Sequence, residues 1–197
     1  QYLDTGALPD ETVRALIRGR KLFPCLFGSG LKLAGVDELL AALTRYAAPP
    51  DYPSEFGARV YKIMRDAQGN RLTCLKVTGG QMRVRTPLTY LPRGADTPMQ
   101  EKVNAIRLYS GEKFETAETV PAGGVCAVQG LTQTYPGQGL GSAAASMPPS
   151  LEPVLTYRLG LPPDVDARAF LPRLRELEEE DPQLHIVWDE ALREIHV

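Results

Sequence analysis

The sequence Val60-Tyr61-Lys62-Ile63-Met64 alternates apolar with polar side chains, and the sequence Arg71-Leu72-Thr73-Cys74-Leu75-Lys76-Val77 does so again. Between them, Asp66-Ala67-Gln68-Gly69-Asn70 has the composition of a turn. Alternation with a period of two places successive side chains on opposite faces of a strand. Two such segments joined by a turn predict an antiparallel β-hairpin.

The same pattern continues on the C-terminal side of this hairpin. Gly79-Gly80 and Gly123-Gly124 are predicted as hairpin turns, since turn signals recur every 8–12 residues or so. Residues 56–147 therefore predict a small antiparallel barrel or sandwich. The further strands are expected at Met82–Arg85, Val103–Tyr109 and Val125–Gln129.

The N-terminal flank, residues 1–55, favours two helices around one strand. A helix capped by Asp10 and running to about Arg20 carries apolar residues on one face. Leu22–Phe27 is apolar throughout and predicts a buried strand. A second helix is expected over Val36–Tyr46, with acidic residues in its first turn, where they complement the helix dipole.

The C-terminal flank, residues 151–197, predicts the order β-α-β-β. This order is the first part of a ferredoxin-like unit, and the missing elements, together with a first residue that is not Met, indicate an excised piece of a longer protein. We expect a frayed edge strand near Ile195, and Pro172 either opens the main helix or kinks it. The predicted elements are a strand at Val154–Leu159, a helix within Asp164–Asp181, and strands at Leu184–Trp188 and Glu194–Val197.

Composition and charge divide the chain in the same way. The 197 residues are 43% hydrophobic and carry a net charge of −2, which suits a folded protein of one or two domains. Proline-rich junctions at Pro49–Pro53 and Met147–Pro149 separate three predicted domains: 1–55, 56–147 and 151–197. Residues 56–147 hold 11 basic and 6 acidic side chains, a net charge of +5.

Several classes of protein are excluded by the sequence. No apolar run approaches the ~20 residues that a membrane helix requires. Three cysteines without a CxxC pair argue against a disulfide scaffold or a zinc site, and we expect all three to be buried in a reducing compartment. The acidic run Glu178–Asp181 is interpreted as a solvated helix face, so no metal ligands are assigned. No phosphate-binding GxxxxGK[ST] motif is present.

Two features are candidates for binding. The small loop after Leu22–Phe27 would lie at the carboxyl end of a strand, where α/β sheets bind ligands, although the motif by itself favours an ordinary strand-to-helix turn. The basic side chains of the predicted barrel could contact phosphates, which bind basic groups without regard to sequence, or simply form a solvated exterior. These side chains are Arg59, Lys62, Arg65, Arg71, Lys76, Arg83 and Arg85.

The order of several short motifs resembles the elongation factor G superfamily of translational GTPases over nearly the whole chain. Asp181-Pro182-Gln183-Leu184 and Arg193-Glu194-Ile195-His196 are similar to the tetracycline-resistance ribosomal protection proteins of that superfamily. The motifs that carry the wider resemblance are Tyr2-Leu3-Asp4, Leu22 to Lys32, Gly35 to Leu40, Lys76 to Gly80, Val120 to Gly124, Glu152-Pro153-Val154 and Glu180-Asp181-Pro182.

The resemblance implies a mainly β protein with α/β flanks. A translation-factor β-barrel would follow the C-terminal end of an α/β GTPase domain and precede a partial ferredoxin-like α+β domain. Ser29, Gly30, Leu31 and Lys32 would form the last guanine-recognition element of the intact parent. Gly30 stands where the family usually has Ala, and Gly124 where it commonly has Asp.

The resemblance also implies a cytoplasmic parent that uses GTP and Mg²⁺ on the ribosome. Its partners would be 16S ribosomal RNA and a small-subunit protein near the decoding centre, with no membrane and no DNA. The phosphate loop, the switch regions and the Asn-Lys-x-Asp element are absent from this chain, so it has no assigned catalytic residue, and we expect no cofactor to bind this piece alone.

Three functions remain open at this point. The first is a ribosome-binding piece of a parent that releases tetracycline from the ribosome with GTP hydrolysis. The second is a piece of a translocation factor of the elongation factor G type. A piece of release factor 3 is a variant of this hypothesis, but the predicted β-α-β-β tail disfavours release factor 3. The third is a self-standing enzyme, which requires a His within hydrogen-bond reach of Ser29, either His185 or His196.

Overall fold

The computed structural model describes residues 6–48, 50–143 and 153–197. Contacts divide the chain into two compact units, Gln1–Asp51 and Tyr52–Val197. The first unit is helical within its described residues. The second contains all of the strands and one further helix.

The segment that follows Asp51 is tied to the strands of the second unit. The Pro53 carbonyl accepts a hydrogen bond of 2.8 Å from the Gly80 amide. The proline-rich junction after residue 143 lies outside the described residues. The division into three domains stays a prediction, at 1–55, 56–147 and 151–197.

The described part of the first unit contains two helices, α1 (Asp10–Arg18) and α2 (Val36–Tyr46), and neither has a buried residue. Both helices are confirmed, but the predicted cap at Asp10 is wrong, because Pro9 occupies the N-cap position. The Asp10 carboxylate instead accepts hydrogen bonds from Arg45, 2.8 Å from Nε and 2.5 Å from Nη2. The two helices are thereby joined by an ion pair at the solvent-exposed surface.

The strand predicted at 22–27 is not formed. Phe23 and Phe27 are 73% and 94% exposed, although the apolar run predicts burial. A strand is stable only when a neighbouring strand accepts and donates its backbone hydrogen bonds. The described residues of this unit offer two helices and an isolated bridge between Ser29 and Ala34, so the segment has no such neighbour.

A six-stranded sheet forms the centre of the second unit, and every pairing in it is antiparallel. The hairpin predicted from Val60 to Val77 is confirmed, with a bulge between Val60 and Lys62. The strands, in spatial order, are β10 (Gly139–Gly141), β1 (Gly57–Arg65), β2 (Arg71–Gly79), β9 (Val125–Gln129), β6 (Ala105–Ser110) and β7 (Lys113–Ala117).

Two antiparallel ribbons complete the strands of this region, β3 (Gln81–Arg83) with β8 (Thr119–Pro121) and β4 (Pro87–Tyr90) with β5 (Met99–Lys102). Side chains from the sheet and both ribbons share one hydrophobic core, as a small barrel or sandwich requires. Its largest fully buried members are Val60, Ile63, Leu75, Val77, Met82, Val103, Ile106, Val128, Leu131 and Leu140.

The two glycine pairs are not hairpin turns. Gly79-Gly80 carries the chain from β2 in the sheet to β3 in a ribbon, and Gly123-Gly124 returns it from β8 to β9. Each pair therefore turns a corner between sheets. Strands β4, β5, β7, β8 and β10 were not predicted, because segments such as Met99-Gln100-Glu101-Lys102 are short and rich in residues that strands disfavour.

The cysteines differ from the expectation of uniform burial. Cys74 and Cys126 are buried, whereas Cys25 is exposed because the strand predicted to bury it is absent. Burial raises the pKa of the Cys126 thiol to about 12. Burial also raises the pKa of the Cys74 thiol.

The C-terminal part of the second unit has the predicted helix followed by two strands, whereas the first predicted strand is not formed as a regular strand. Helix α3 (Ala167–Glu180) begins at a cap in which the Asp166 carboxylate accepts from the Arg168 amide at 2.9 Å. Pro172 lies inside this helix, so the alternative that it opens the helix is wrong. The strands are β11 (Val187–Asp189) and β12 (Glu194–His196), after a short 3-10 helix at Pro182–Leu184.

Ile195 lies in a central position, and the prediction of a frayed edge there is wrong. Strand β12 pairs with β11 on one side. On its other side the Leu159 amide donates to the Ile195 carbonyl at 2.8 Å, and Tyr157 and Val197 exchange two backbone hydrogen bonds. The strand predicted at 154–159 is reduced to this pairing and one bridge at Arg158. Ile195, at 1% exposure, packs with Leu174 and Ile186 in a second core.

The fold class, mainly β with few helices, is confirmed. Of the described residues from 56 to 143, those in regular structure are all in strands. None of the described helices has the length and apolar character that crossing a bilayer requires.

Candidate functional site

The predicted guanine loop closes on itself through the backbone of Ser29 and Ala34. The Ser29 amide donates to the Ala34 carbonyl at 2.8 Å, and the Ala34 amide donates to the Ser29 carbonyl at 3.2 Å. The Ser29 hydroxyl accepts from the Lys32 amide at 3.4 Å. Leu31, at the tip, is 96% exposed. The loop thus holds its shape with its own hydrogen bonds and presents residues 29–32 outward.

Two glycines allow the ends of this loop to approach closely. A Cβ at Gly28 would lie 2.6 Å from the Ala34 carbonyl oxygen, and a Cβ at Gly35 would overlap the Phe27 carbonyl. Gly35 also has φ of +76°, which glycine adopts at little cost. A Cβ at Gly30 would meet nothing within 4 Å, so this departure from the family pattern carries no steric demand.

The residues required by the enzyme hypothesis fall in different units. Ser29 belongs to the first compact unit, whereas His185 and His196 belong to the second. His196 Nε2 lies 3.3 Å from a Glu194 carboxylate oxygen, which gives the ring a structural partner. No described contact joins Ser29 to a base that could activate it.

The basic residues predicted to bind RNA separate into two groups, and the first is engaged inside the protein. Arg59 donates to the Gly137 carbonyl at 3.1 Å. Arg71, whose side chain is only 12% exposed, donates to the carbonyls of Leu131 at 2.7 Å and Thr134 at 2.5 Å. These guanidinium groups stabilise the protein's own backbone, which leaves little of them for an external phosphate.

Arg71 also connects the sheet to helix α3. Its Nε lies 2.9 Å from Glu179 Oε2, and the same oxygen lies 3.0 Å from Arg65 Nη2. Arg65 and Arg71 are directly opposite one another on β1 and β2, an arrangement that repulsion would disfavour without an anion between them. Glu179 supplies that anion from the helix.

The acidic run on α3 is therefore not simply a solvated face. Glu178 accepts from the Ile186 amide at 2.9 Å and from Arg175 at 2.6 Å, while Glu179 binds the two sheet arginines. These two carboxylates fix the helix to the segments on either side of it. Among the described residues, no cluster of three His, Cys, Asp or Glu side chains could hold a metal ion.

Lys62 and Lys76 belong to the second, exposed group of basic residues. Their neighbours Ile63, Leu75 and Val77 point into the core with 0% exposure, so the alternation of the strands places both lysines on the outer face of the sheet. Lys62 is opposite Cys74 and Lys76 is opposite Arg59, so the two lysines lie on adjacent strands.

Arg83 and Arg85 are also exposed and line one groove of about 370 Å³ together with Val84, Glu118 and Thr119. Arg85 has φ of +66°, a left-handed conformation that a side chain with a Cβ rarely adopts. The backbone holds it there, because the Arg85 amide donates to the Val103 carbonyl at 2.7 Å.

A carboxylate network supports the loop that Arg71 binds, and no pattern in the sequence pointed to it. Glu101 accepts from the Thr132 amide at 2.6 Å and hydroxyl at 2.5 Å, and also from the Tyr90 hydroxyl. Burial opposes ionisation of Glu101, but the hydrogen bonds from Thr132 and Tyr90 outweigh it and hold the pKa of this carboxyl below its ordinary value. Burial, and then the bond to Glu101, raises the pKa of Tyr90.

A second ion pair fixes the tip of the β1–β2 hairpin. Asp66 Oδ2 lies 3.0 Å from Arg107 Nη1, and both side chains are nearly buried. The Asp66 carboxylate also accepts from the amides of Gln68 and Asn70, so it shapes the turn as well. The Arg107 guanidinium lies 4.5 Å from the centre of the Phe114 ring. Arg107 is thus another basic residue of the barrel whose charged group binds partners within the protein.

The chain is similar to translation factors over most of its length, although no protein-family model matches it. Elongation factor G 2 of Syntrophus aciditrophicus (strain SB) is 26% identical over 96% of this chain and 32% of its own length. Mitochondrial ribosome-releasing factor 2 of Danio rerio is 28% identical over 69% of this chain and 18% of its own length. The same factor of Drosophila erecta is 24% identical over 93% of this chain and 28% of its own length.

A crystal structure of a protein from Thermus thermophilus has the same fold, with a TM-score of 0.73 and 21% identity over 95% of this chain and 29% of that chain. The chain therefore spans a third or less of the length of the relatives it matches. The sequence similarities to elongation factor G 2 and ribosome-releasing factor 2 support a likeness to the elongation factor G superfamily of translational GTPases. They give no support to the tetracycline-resistance branch.

Proposed function

We propose that this chain is part of an elongation factor G-type factor that acts on the ribosome in translocation or recycling, and that it supplies binding and positioning rather than catalysis. The observation that carries the proposal is the similarity to elongation factor G 2 along 96% of the chain. The ribosome-releasing factors add recycling as a second activity of the same superfamily.

The tetracycline-protection function has weaker grounds than this alternative. It depends on short motifs at 181–184 and 193–196, and local structure accounts for the first of them. The Asp181 carboxylate accepts from the Gln183 amide at 3.1 Å and so begins the 3-10 helix after α3. A motif that serves a turn of this kind can occur in any member of a family with the same fold.

In the whole protein, GTP and Mg²⁺ would bind a nucleotide domain to which residues 29–32 contribute the guanine loop. The outward presentation of this loop supports that role, since Gly30, Leu31 and Lys32 at its tip are exposed. The parent would work in the cytoplasm, or in the mitochondrion as for the ribosome-releasing factors named above. Its partners would be 16S ribosomal RNA and a small-subunit protein near the decoding centre.

The exposed basic residues of the barrel would make the contact with RNA. Lys62 and Lys76 share the outer face of the sheet, and Arg83 and Arg85 share a groove. Each phosphate contact releases counterions and makes affinity fall with salt. Arg59 and Arg71 are assigned to the stability of the fold instead.

The test is binding of the whole chain to purified small ribosomal subunits over a range of salt concentrations. In the double variant Lys62→Gln with Lys76→Gln, log K should fall less steeply with log salt, by about one unit of slope for each lysine removed. Lys21→Gln, an exposed lysine of the first unit, is the matched control and should leave the slope unchanged. Binding no tighter than that of an unrelated acidic protein at low salt would refute the proposed function.

A further inference from the structure

We infer that the groove between Arg83 and Arg85 is a site for one RNA phosphodiester and its neighbouring ribose. This inference rests on the proposed function, because it names the chemistry of one contact on the same surface. The groove has a volume of about 370 Å³ and is lined by Arg83, Val84, Arg85, Glu118 and Thr119. A space of this size admits a phosphate and one sugar.

The two guanidinium groups are available, unlike those of Arg65, Arg71 and Arg107. Within the described part of the chain, neither Arg83 nor Arg85 forms an ion pair. Arginine presents planar N–H donors that match phosphate oxygens, so two exposed arginines on one groove favour an anionic ligand.

Arg83 is oriented by its neighbour two residues earlier. When the oxygen of the Gln81 side-chain amide is oriented toward Arg83, it accepts hydrogen bonds from Arg83 Nη2 at 2.6 Å and from Nε at 3.1 Å. These bonds use one edge of the guanidinium and leave donors on the other edge. A fixed guanidinium loses less conformational entropy when it binds than a mobile one.

Arg85 is held in a backbone conformation that costs energy. Its φ of +66° is one that glycine adopts readily and arginine does not. The turn is closed by the Thr86 amide, 3.4 Å from the Arg83 carbonyl, and by the Arg85 amide on Val103. This turn places two arginines separated by a single residue on the same groove.

The carboxylate on the groove decides which polyanion fits. Glu118 is exposed and lines the groove, and its backbone carbonyl is already used by the Val84 amide at 3.0 Å. A carboxylate repels a phosphate but accepts a hydrogen bond from a ribose 2′-hydroxyl, the group that distinguishes RNA from DNA. Thr119, opposite Arg83 on β8, adds a hydroxyl on the same rim. The combination favours RNA.

The first test uses the whole chain with small ribosomal subunits. Arg83→Gln and Arg85→Gly should each make log K fall less steeply with log salt, by about one unit of slope. Arg173→Gln, which changes an exposed arginine of α3, should leave this slope unchanged. Because glycine suits the left-handed φ, Arg85→Gly should melt at the same temperature as the original chain or higher, so lost binding cannot be assigned to unfolding. Unchanged slopes in both groove variants, with a reduced slope in the Lys62 and Lys76 variant, would overturn the inference and leave the proposed function standing.

The second test separates RNA from DNA with two labelled 12-base-pair hairpins of the same sequence, one ribo and one deoxy, at low salt. Glu118→Ala should weaken binding of the RNA hairpin and tighten binding of the DNA hairpin, because only RNA gains a bond from the carboxylate. Tighter binding of both hairpins would show that Glu118 acts only by repulsion, and would overturn the assignment of the ribose contact. If the original chain binds neither subunits nor hairpins, the proposed function itself fails.

Discussion

Arg71 offers the sharpest test of how the second unit is held together. Its side chain is 12% exposed and donates to the carbonyls of Leu131 and Thr134, the Thr134 hydroxyl and Glu179. Leu131 and Thr134 are themselves only 1% and 3% exposed, so water cannot easily replace the lost donors. Arg71→Met should therefore unfold more easily, since it keeps most of the apolar volume and removes every donor.

The magnitude follows from the partners left behind. Each buried carbonyl without a donor costs about 1–3 kcal/mol, so the two carbonyls together account for roughly 2–6 kcal/mol. Glu179 adds little to this cost, because it is 40% exposed and keeps Arg65. We therefore expect Arg71→Met to lower the free energy of unfolding by about 2–6 kcal/mol, the cost of the two buried carbonyls that lose their donors. Glu179→Gln should cost less, about 1–2 kcal/mol, because Arg71 keeps its backbone acceptors.

The assay is urea unfolding of the whole chain followed by circular dichroism, with Arg173→Met on the exposed side of α3 as the matched control. The control should change the free energy of unfolding by less than about 0.5 kcal/mol. A loss below about 1 kcal/mol in Arg71→Met would mean that Arg71 behaves as a surface residue. It would refute the assignment of Arg71 to the fold and return it to the candidates for RNA binding.

Three further outcomes are expected. The pKa of Glu101 is lower in the fold than its ordinary value of 4.5, so its stabilising effect is complete above pH 4.5 and is lost as pH falls through the folded pKa. Glu101→Gln should therefore make the urea midpoint depend less on pH below about 4.5. A midpoint that falls with acid as steeply in the variant as in the original chain would contradict this. Gly30→Ala should leave amide exchange at Ser29 unchanged, whereas Gly28→Ala should speed it, since only the latter Cβ meets the loop backbone; equal exchange rates in both variants would count against the loop geometry. A thiol reagent should label Cys25 at once in the native chain and the other two cysteines only on unfolding, so rapid labelling of three thiols would disprove the burial described.

The central hairpin shows what could be predicted from sequence without a structure. Alternation in Val60–Met64 and Arg71–Val77 reports the period of a strand, which depends only on local backbone geometry. The helices at 10–18 and 36–46 were predictable for the same reason, because apolar spacing and charge at the helix ends are local signals. Strands β4, β5, β7, β8 and β10 were not predictable in this way, because they are short and their pairing with distant strands stabilises them.

The candidate site was less predictable than the fold. Seven barrel cations look alike in the sequence, and a basic residue in a strand gives no sign of its partner. The structure shows that Arg59, Arg65 and Arg71 bind acceptors 78, 114 and 63 residues away, whereas Arg83 and Arg85 stay exposed. Partners at such separations are set by topology alone. The sequence could name the candidates, but it could not divide structural cations from available ones.

The strand period, the helix ends and the turn compositions were determined by the sequence itself, because each arises from forces between residues close together in the chain. Tertiary structure alone decided three things. Residues 22–27 form no strand, because they have no hydrogen-bonding neighbour strand among the described residues. Ile195 lies in a central position, because Tyr157 and Leu159 pair with β12. Glu179 lies between Arg65 and Arg71. Each of these features depends on which backbone groups or charged side chains from distant parts of the sequence come within hydrogen-bond distance. Local sequence patterns do not indicate these partners.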